Sequence, residues 1–200
     1  MMSSRMPFTL VMAVVLAGCT WQPRTARELQ EWVNDPDHGL VTEQRFGDLS
    51  LRLSYQPAQL LWLRDLENGD TLEASSSDHY RGAHQFVMRI QADGVSNLLD
   101  APSPAGHDHN AKLYYYTTLV QDDLLLVVGQ DTIPCAQAHF ERNYGSAPFN
   151  NLVFSFVDEH QEPFRDDLEL IYYDRAFGAG PITFTIRRDD LLDIPQPKRS

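Results

Sequence analysis

The chain has 200 residues, 42% of them hydrophobic, and sets 28 Asp and Glu against 16 Lys and Arg for a formal charge of −12. That length supports one domain with a substantial core and leaves two independent domains cramped. An acidic balance of this size repels phosphate backbones and anionic lipid heads, which argues against nucleic acid as a partner and against membrane attachment through a basic patch.

At the N-terminus Arg5 stands in a short polar start, Phe8 to Leu16 form an apolar run, and the small pair Ala17-Gly18 precedes Cys19. A spanning helix needs about 20 apolar residues and this run has roughly half that, so residues 1–18 read as a signal peptide and stay out of fold reasoning. Leu16-Ala17-Gly18-Cys19 resembles the lipobox of bacterial lipoproteins. The resemblance implies cleavage between Gly18 and Cys19, a diacylglycerol on the Cys19 thiol, and attachment to a membrane through acyl chains. One such chain anchors marginally and two or more hold stably. By the same resemblance Thr20, in place of Asp, implies the outer membrane of a double-membraned bacterium. Removing residues 1–18 takes away Arg5 and no acid, so the remainder carries −13. Residues 19–24 then form a lipidated tether, and Thr20 to Arg24 reach at most about 18 Å. The domain is expected close to the bilayer.

The single domain is expected over residues 25–194. Thr25 and Glu28 have capping-box spacing, and Leu29, Trp32 and Val33 follow at helical intervals, so a short helix runs to about Val33 and stops at Asn34-Asp35-Pro36-Asp37. Leu40 to Phe46 reads as a strand, Gly47-Asp48 as a turn, and Leu49, Leu51, Leu53 and Tyr55 alternate with polar residues as in a strand with one dry face. These two strands make a hairpin. Pro57 opens a second short helix through Leu66, Thr71 to Arg81 reads as a surface loop, and Gln85 to Gln91 alternates again.

Residues 93–110 form the longest loop. Lys112 to Val120 is ambiguous: Tyr114-Tyr115-Tyr116 favour β by propensity, while Leu113, Tyr116, Leu119 and Val120 fit a helical face. Asp123 to Gly129 reads as a strand buried on both faces, and Thr132 to Glu141 as a strand pairing back on it. Leu152 to Val157, Leu168 to Tyr173 and Ile182 to Arg188 are further strands, Leu191-Leu192 a helical turn, and residues 195–200 a solvated tail. Seven or eight strands with two or three small helices point to a mainly β fold, an antiparallel β-sandwich, with α+β as the alternative.

His107-Asp108-His109 is the most suggestive cluster for metal, because two imidazoles and a carboxylate supply zinc ligands. In an extended segment a third ligand must come from elsewhere, and the same residues suit a polar loop. His139 and Glu141 share a face if their segment is a strand, which suits an acid/base pair or a structural hydrogen-bond network. The pairs Asp122-Asp123, Asp166-Asp167 and Asp189-Asp190 read as solvated turn residues. With Cys19 lipidated, Cys135 is the remaining thiol and reads as a small buried hydrophobe; the sharper reading is an intermolecular disulfide or reactive thiol.

No Gly-x-Ser-x-Gly, Cys-x-x-Cys, His-Glu-x-x-His or phosphate loop is present. Tyrosines and phenylalanines recur along the strands, either as core or as a recognition face. The Gly39-Leu40-Val41 and Leu49 to Pro57 segments, with Asp131 to Cys135 and His139 to Arg142, are similar to uncharacterised bacterial cell-envelope lipoproteins. That similarity implies location and no mechanism. The expectation is a non-enzymatic binding or assembly domain for an envelope protein or glycan, with no cofactor beyond the diacylglycerol. The alternative is a small envelope hydrolase or zinc-dependent enzyme built on the histidines above.

Overall fold

Alternation of apolar and polar residues builds the framework, because every second side chain of a strand points to one side. In the computed structural model, which describes residues 22–69, 80–160 and 164–198, nine strands fall into two antiparallel sheets. The lipobox, Thr20 and most of the loop expected over Thr71 to Arg81 lie outside the described residues.

Helix α1 (Ala26–Asn34) starts as its capping box requires: Glu28 N–H donates to Thr25 Oγ1 at 3.1 Å. The Glu28 carboxylate reaches one residue further back than the motif predicts and accepts from Arg24 N–H at 2.7 Å. The hairpin β1 (Val41–Phe46) and β2 (Leu49–Gln56) follows, then α2 (Ala58–Glu67) and β3 (Ala83–Ala92). The single connection from β3 to the next strand carries α3 (His109–Tyr114), continued by a π turn over Tyr115–Leu119, which settles the ambiguous tyrosine run as helical. The remaining elements are β4 (Leu124–Val128), β5 (Asp131–Pro134), β6 (Gln137–Glu141), β7 (Phe149–Val157), β8 (Leu168–Asp174), β9 (Gly180–Ile186) and α4 (Arg188–Leu192).

The five-stranded sheet runs β1-β2-β3-β7-β6 and the four-stranded sheet β5-β4-β8-β9. Leu51, Leu53, Tyr55, Phe86, Met88, Phe154 and Phe156 from the first meet Leu124, Leu126, Leu170, Tyr172, Ile182 and Phe184 from the second in one buried core. This is the expected β-sandwich, two sheets closed over alternate inward side chains.

The run from Thr132 to Glu141 is two strands rather than one. Asp131–Pro134 pairs with β4, and Gln137–Glu141 crosses to the other sheet and pairs with β7. Cys135 sits at the crossover: its N–H donates to Leu124 O at 3.2 Å in one sheet, while Ala136 N–H donates to Ser155 O at 2.8 Å in the other. The chain end also departs from a solvated tail. Ile194 and Pro197 are buried, and Lys198 N–H donates to Pro23 O at 2.9 Å. Pro23 is buried with them, so part of the expected tether belongs to the packed domain.

Candidate functional site

Antiparallel register lines up side chains from all five strands of the larger sheet on its outer face. One transverse row consists of Glu43, Arg52, Arg89, Asn151 and Glu141, each directly opposite the next. On one side lies the row Ser54, Val87, Val153 and His139, then Gln56, Gln85, Ser155 and Gln137; on the other lies Arg45, Ser50, Gln91 and Phe149. At the Ser54 to Gln56 end the surface is walled by Gln30 and Asn34 of α1 and Arg64 of α2, which leaves a cavity of about 390 Å³. A second depression of about 420 Å³ continues toward Arg45 and Gln91 and shares Arg52 and Arg89 with the first. The outer face is therefore one polar groove.

Its cations are held in place by neighbours. Arg52 Nη1 donates to Glu43 Oε1 at 3.0 Å and Nη2 to Asn34 O at 3.2 Å. Arg64 Nη2 donates to Gln56 Oε1 at 3.1 Å and to Gln30 Oε1, both neutral amides; burial lowers its pKa from the ordinary guanidinium value. The Arg89 guanidinium lies 3.8 Å from the centroid of the Phe149 ring. None of the ion pairs among the described residues involves Arg64 or Arg89. Gln56 Nε2 is itself tied to Ser54 Oγ at 3.0 Å, and Asn151 Nδ2 donates to Glu141 Oε2 at 2.9 Å. Asn151 Oδ1 is buried without a hydrogen-bond partner among the described residues.

The residues singled out from sequence fall elsewhere or at the margin. His139 and Glu141 do share the outer face of β6, both exposed, with Glu141 engaged by Asn151 at the end of the groove. His107, Asp108 and His109 do not converge. Asp108 caps α3, accepting from Ala111 N–H at 2.8 Å. His109 Nδ1 lies 2.6 Å from Asp100 Oδ1, and that hydrogen bond is the first reason the Asp100 carboxyl sits below its ordinary range. His107 Nδ1 is buried without a hydrogen-bond partner among the described residues. No group of three or more His, Cys, Asp or Glu able to hold a metal ion occurs among the described residues.

Cys135 is 7% exposed and its Sγ lies 3.1 Å from Gln137 O; burial pushes the thiol up to about 11. Cys19 and Gly18 lie outside the described residues. Of the acidic pairs, Asp123 is not a solvated turn residue: it is buried and meets Arg175 Nη2 at 2.6 Å. Most rings are core, including Tyr115, Tyr116, Tyr172, Phe154 and Phe156, whereas Tyr114 and Tyr173 are exposed. Phe149, half-buried, is the ring that serves the groove.

Sequence reasoning passed over Arg52, Arg64 and Arg89. Arg52 and Arg89 are visible as wet-face members of two alternating strands. Nothing in either strand alone says that the two arginines stand side by side.

Neither a family model nor a curated protein matches the sequence. Among solved structures the chain is similar to a DUF4426 family protein from Pseudomonas aeruginosa, with 15% identity over 73% of this chain and 90% of that one at a TM-score of 0.35. It is also similar to a protein of unknown function from Burkholderia pseudomallei, with 12% identity over 86% of this chain and 94% of that one, again at 0.35. Likenesses this distant carry no function from one chain to another.

Proposed function

We propose that the chain is a lipid-anchored cell-envelope protein, held at the outer membrane through Cys19, whose β-sandwich binds another envelope component without catalysing a reaction on it. The outer face of the five-stranded sheet is its binding face. One observation carries that assignment: a concave surface on which arginines and carboxamides are fixed by one another, with Val87 and Val153 as apolar floor. Ligand sites are concavities with a few polar groups held in place, and a merely solvated sheet face has no reason to interlock its side chains.

The anchor rests on the lipobox residues. With Pro23 bonded to Lys198, Thr20 to Gln22 are all that separates Cys19 from the packed domain in sequence, a span of at most about 10 Å. Gln30 and Asn34, which wall the groove, belong to the helix that follows this link. The ligand is therefore local to the membrane surface.

Two measurements test the reading. A clickable fatty acid fed to cells is expected to label the wild-type protein and not Cys19→Ala; label on the variant, or none on wild type, overturns the anchor. In the non-acylated Cys19→Ala protein, which has no anchor to hold it to lipid, Val87→Trp fills the groove floor and is expected to abolish co-sedimentation with isolated envelope material while leaving the melting temperature unchanged. Undiminished co-sedimentation overturns the binding face.

A further inference from the structure

The groove concentrates positive charge on a chain whose formal charge is −12. Arg52 and Arg89 stand directly opposite on adjacent antiparallel strands, where side chains lie about 5 Å apart and like charges oppose each other. Arg52 is balanced on its outer side by Glu43, whereas Arg89 stacks on the Phe149 ring and has no ion pair among the described residues. Arg64, in the wall above them, is fixed by two neutral amides. Although 28 carboxylates are available in the sequence, neither Arg64 nor Arg89 takes part in an ion pair among the described residues. Two guanidiniums with no counterion among the described residues, lining one concavity, leave forks suited to an external carboxylate.

The rest of the lining selects the class of molecule that carries this carboxylate. Gln30, Asn34 and Gln85 bring carboxamides that donate and accept in one plane, which matches hydroxyl groups that do both, while the buried Gln56 braces Arg64 and Asn151 braces Glu141. Protein interfaces instead centre on clusters of apolar and aromatic contacts, and here the apolar side chains are two valines, Leu51 and the single Phe149 ring, whose face Arg89 covers. The groove also lies on a sheet face, where no unpaired backbone is offered to a peptide strand.

We infer that the groove binds an acidic glycan, with a sugar carboxylate seated between Arg52 and Arg89 and within reach of Arg64, and the sugar hydroxyls on the carboxamide walls. This rests on the reading of the outer face as the binding face and adds the chemistry of its ligand.

The test titrates the purified full-length protein in detergent with four probes: a tetrasaccharide of alternating hexuronate and N-acetylhexosamine, its neutral counterpart N-acetylchitotetraose, hexaglutamate and inorganic phosphate. The uronate tetrasaccharide is expected to bind at least tenfold more tightly than each of the others. Its affinity should fall at least tenfold in Arg89→Gln, fall less in Arg89→Lys, which keeps charge without the fork, and weaken with added salt. Val87→Trp should remove binding altogether. Equal affinity for the uronate and neutral sugars, lost in Val87→Trp but kept in Arg89→Gln, overturns the acidic requirement and leaves the binding face standing. Binding that survives Val87→Trp overturns the face itself. Preference for hexaglutamate makes the ligand an acidic peptide, preference for phosphate makes it a phosphorylated one, and no binding of the uronate at millimolar concentration excludes the class; each overturns the inference. Circular dichroism of every variant separates lost binding from lost fold.

Discussion

Arg52 and Arg89 occupy directly opposed positions on β2 and β3, two like charges in one cross-strand pair on a chain whose formal charge is −12. Such a pair costs stability by a few tenths of a kcal/mol up to about 1 kcal/mol. Against this, the stacking of Arg89 on Phe149 is worth about 0.5–1 kcal/mol at an exposed site. The two effects nearly cancel, so Arg89→Gln is expected to change unfolding free energy by less than about 0.5 kcal/mol at physiological salt. Raising salt screens the repulsion and should shift the comparison toward the wild type. Paired urea titrations at 10 mM and 500 mM NaCl check this; a loss of several kcal/mol in the variant would show that Arg89 is structural rather than held for a ligand.

His84 gives the fold a pH dependence of defined sign. It is 5% exposed and its Nδ1 lies 3.4 Å from the Tyr55 hydroxyl. Burial lowers it from its ordinary 6.5 to about 4, with Asp158 pulling it up and Arg165 pushing it down. The unfolded chain takes up this proton below pH 6.5 and the folded chain does not until about 4. The stability is therefore complete above 6.5 and is lost as pH falls toward 4. By pH 5 the loss is on the order of 2 kcal/mol relative to pH 7. Urea midpoints at the two pH values should fall more in the wild type than in His84→Gln, which has no proton to take up; parallel losses would remove His84 as the cause.

The hairpin, the two short helices and the sandwich class follow from local signals, because alternation and caps are properties of neighbouring residues. Pairing between distant segments is not such a property. The run from Thr132 to Glu141 has no signal for changing sheets, since the change consists of Cys135 and Ala136 donating to different partners, Leu124 and Ser155. The groove was hidden for the same reason: its residues come from five strands and two helices, and only register brings Arg52, Arg89 and Asn151 into one row. His107 to His109 stood out because they are adjacent in sequence, and the cap at Asp108 and the contact from His109 to Asp100 draw them to separate tasks.

The crossover cysteine should be chemically quiet. Its thiol is buried and raised to about 11, so little thiolate exists at pH 8, and reagent access requires opening of the sheet junction. Alkylation by iodoacetamide is expected to be at least a hundredfold slower in native buffer than in urea. Rapid native labelling would place Cys135 in an open environment and restore a reactive role.

Gly39 joins the N-terminal helix to the β1 strand in a left-handed conformation, φ +71°, and a Cβ there would fall 2.2 Å from the Asp190 carboxylate of α4. Gly39→Ala therefore meets both a backbone penalty of about 1 kcal/mol and a collision. Thermal melts should show a loss of about 1–3 kcal/mol, of which the collision part returns in Gly39→Ala/Asp190→Ala. If the second change recovers nothing, the cost lies wholly in the backbone and the approach of α4 is not tight.

Asp174 closes the far end of the smaller sheet. Its carboxylate, 3% exposed, accepts from Tyr172 OH at 3.2 Å, from Phe177 N–H at 3.3 Å to each oxygen, and from Ala179 N–H at 3.0 Å. The two backbone donors lie on the connection between β8 and β9, which also walls an apolar cavity of about 570 Å³ with Phe46 and Pro104. Asp174→Ala leaves two backbone donors and a buried phenol without their acceptor, and each buried orphan costs about 1–3 kcal/mol. A total loss of about 2–4 kcal/mol is expected, since some groups regain water. Asp174→Asn keeps the shape but turns one acceptor into a donor facing a backbone N–H, so about half the loss should remain. Hydrogen exchange localises the effect: amides of Phe177 and Ala179 should lose protection in both variants while those of β2 and β3 follow only the global change. Unchanged protection at Phe177 would mean that packing of its ring, rather than the carboxylate, holds the connection closed.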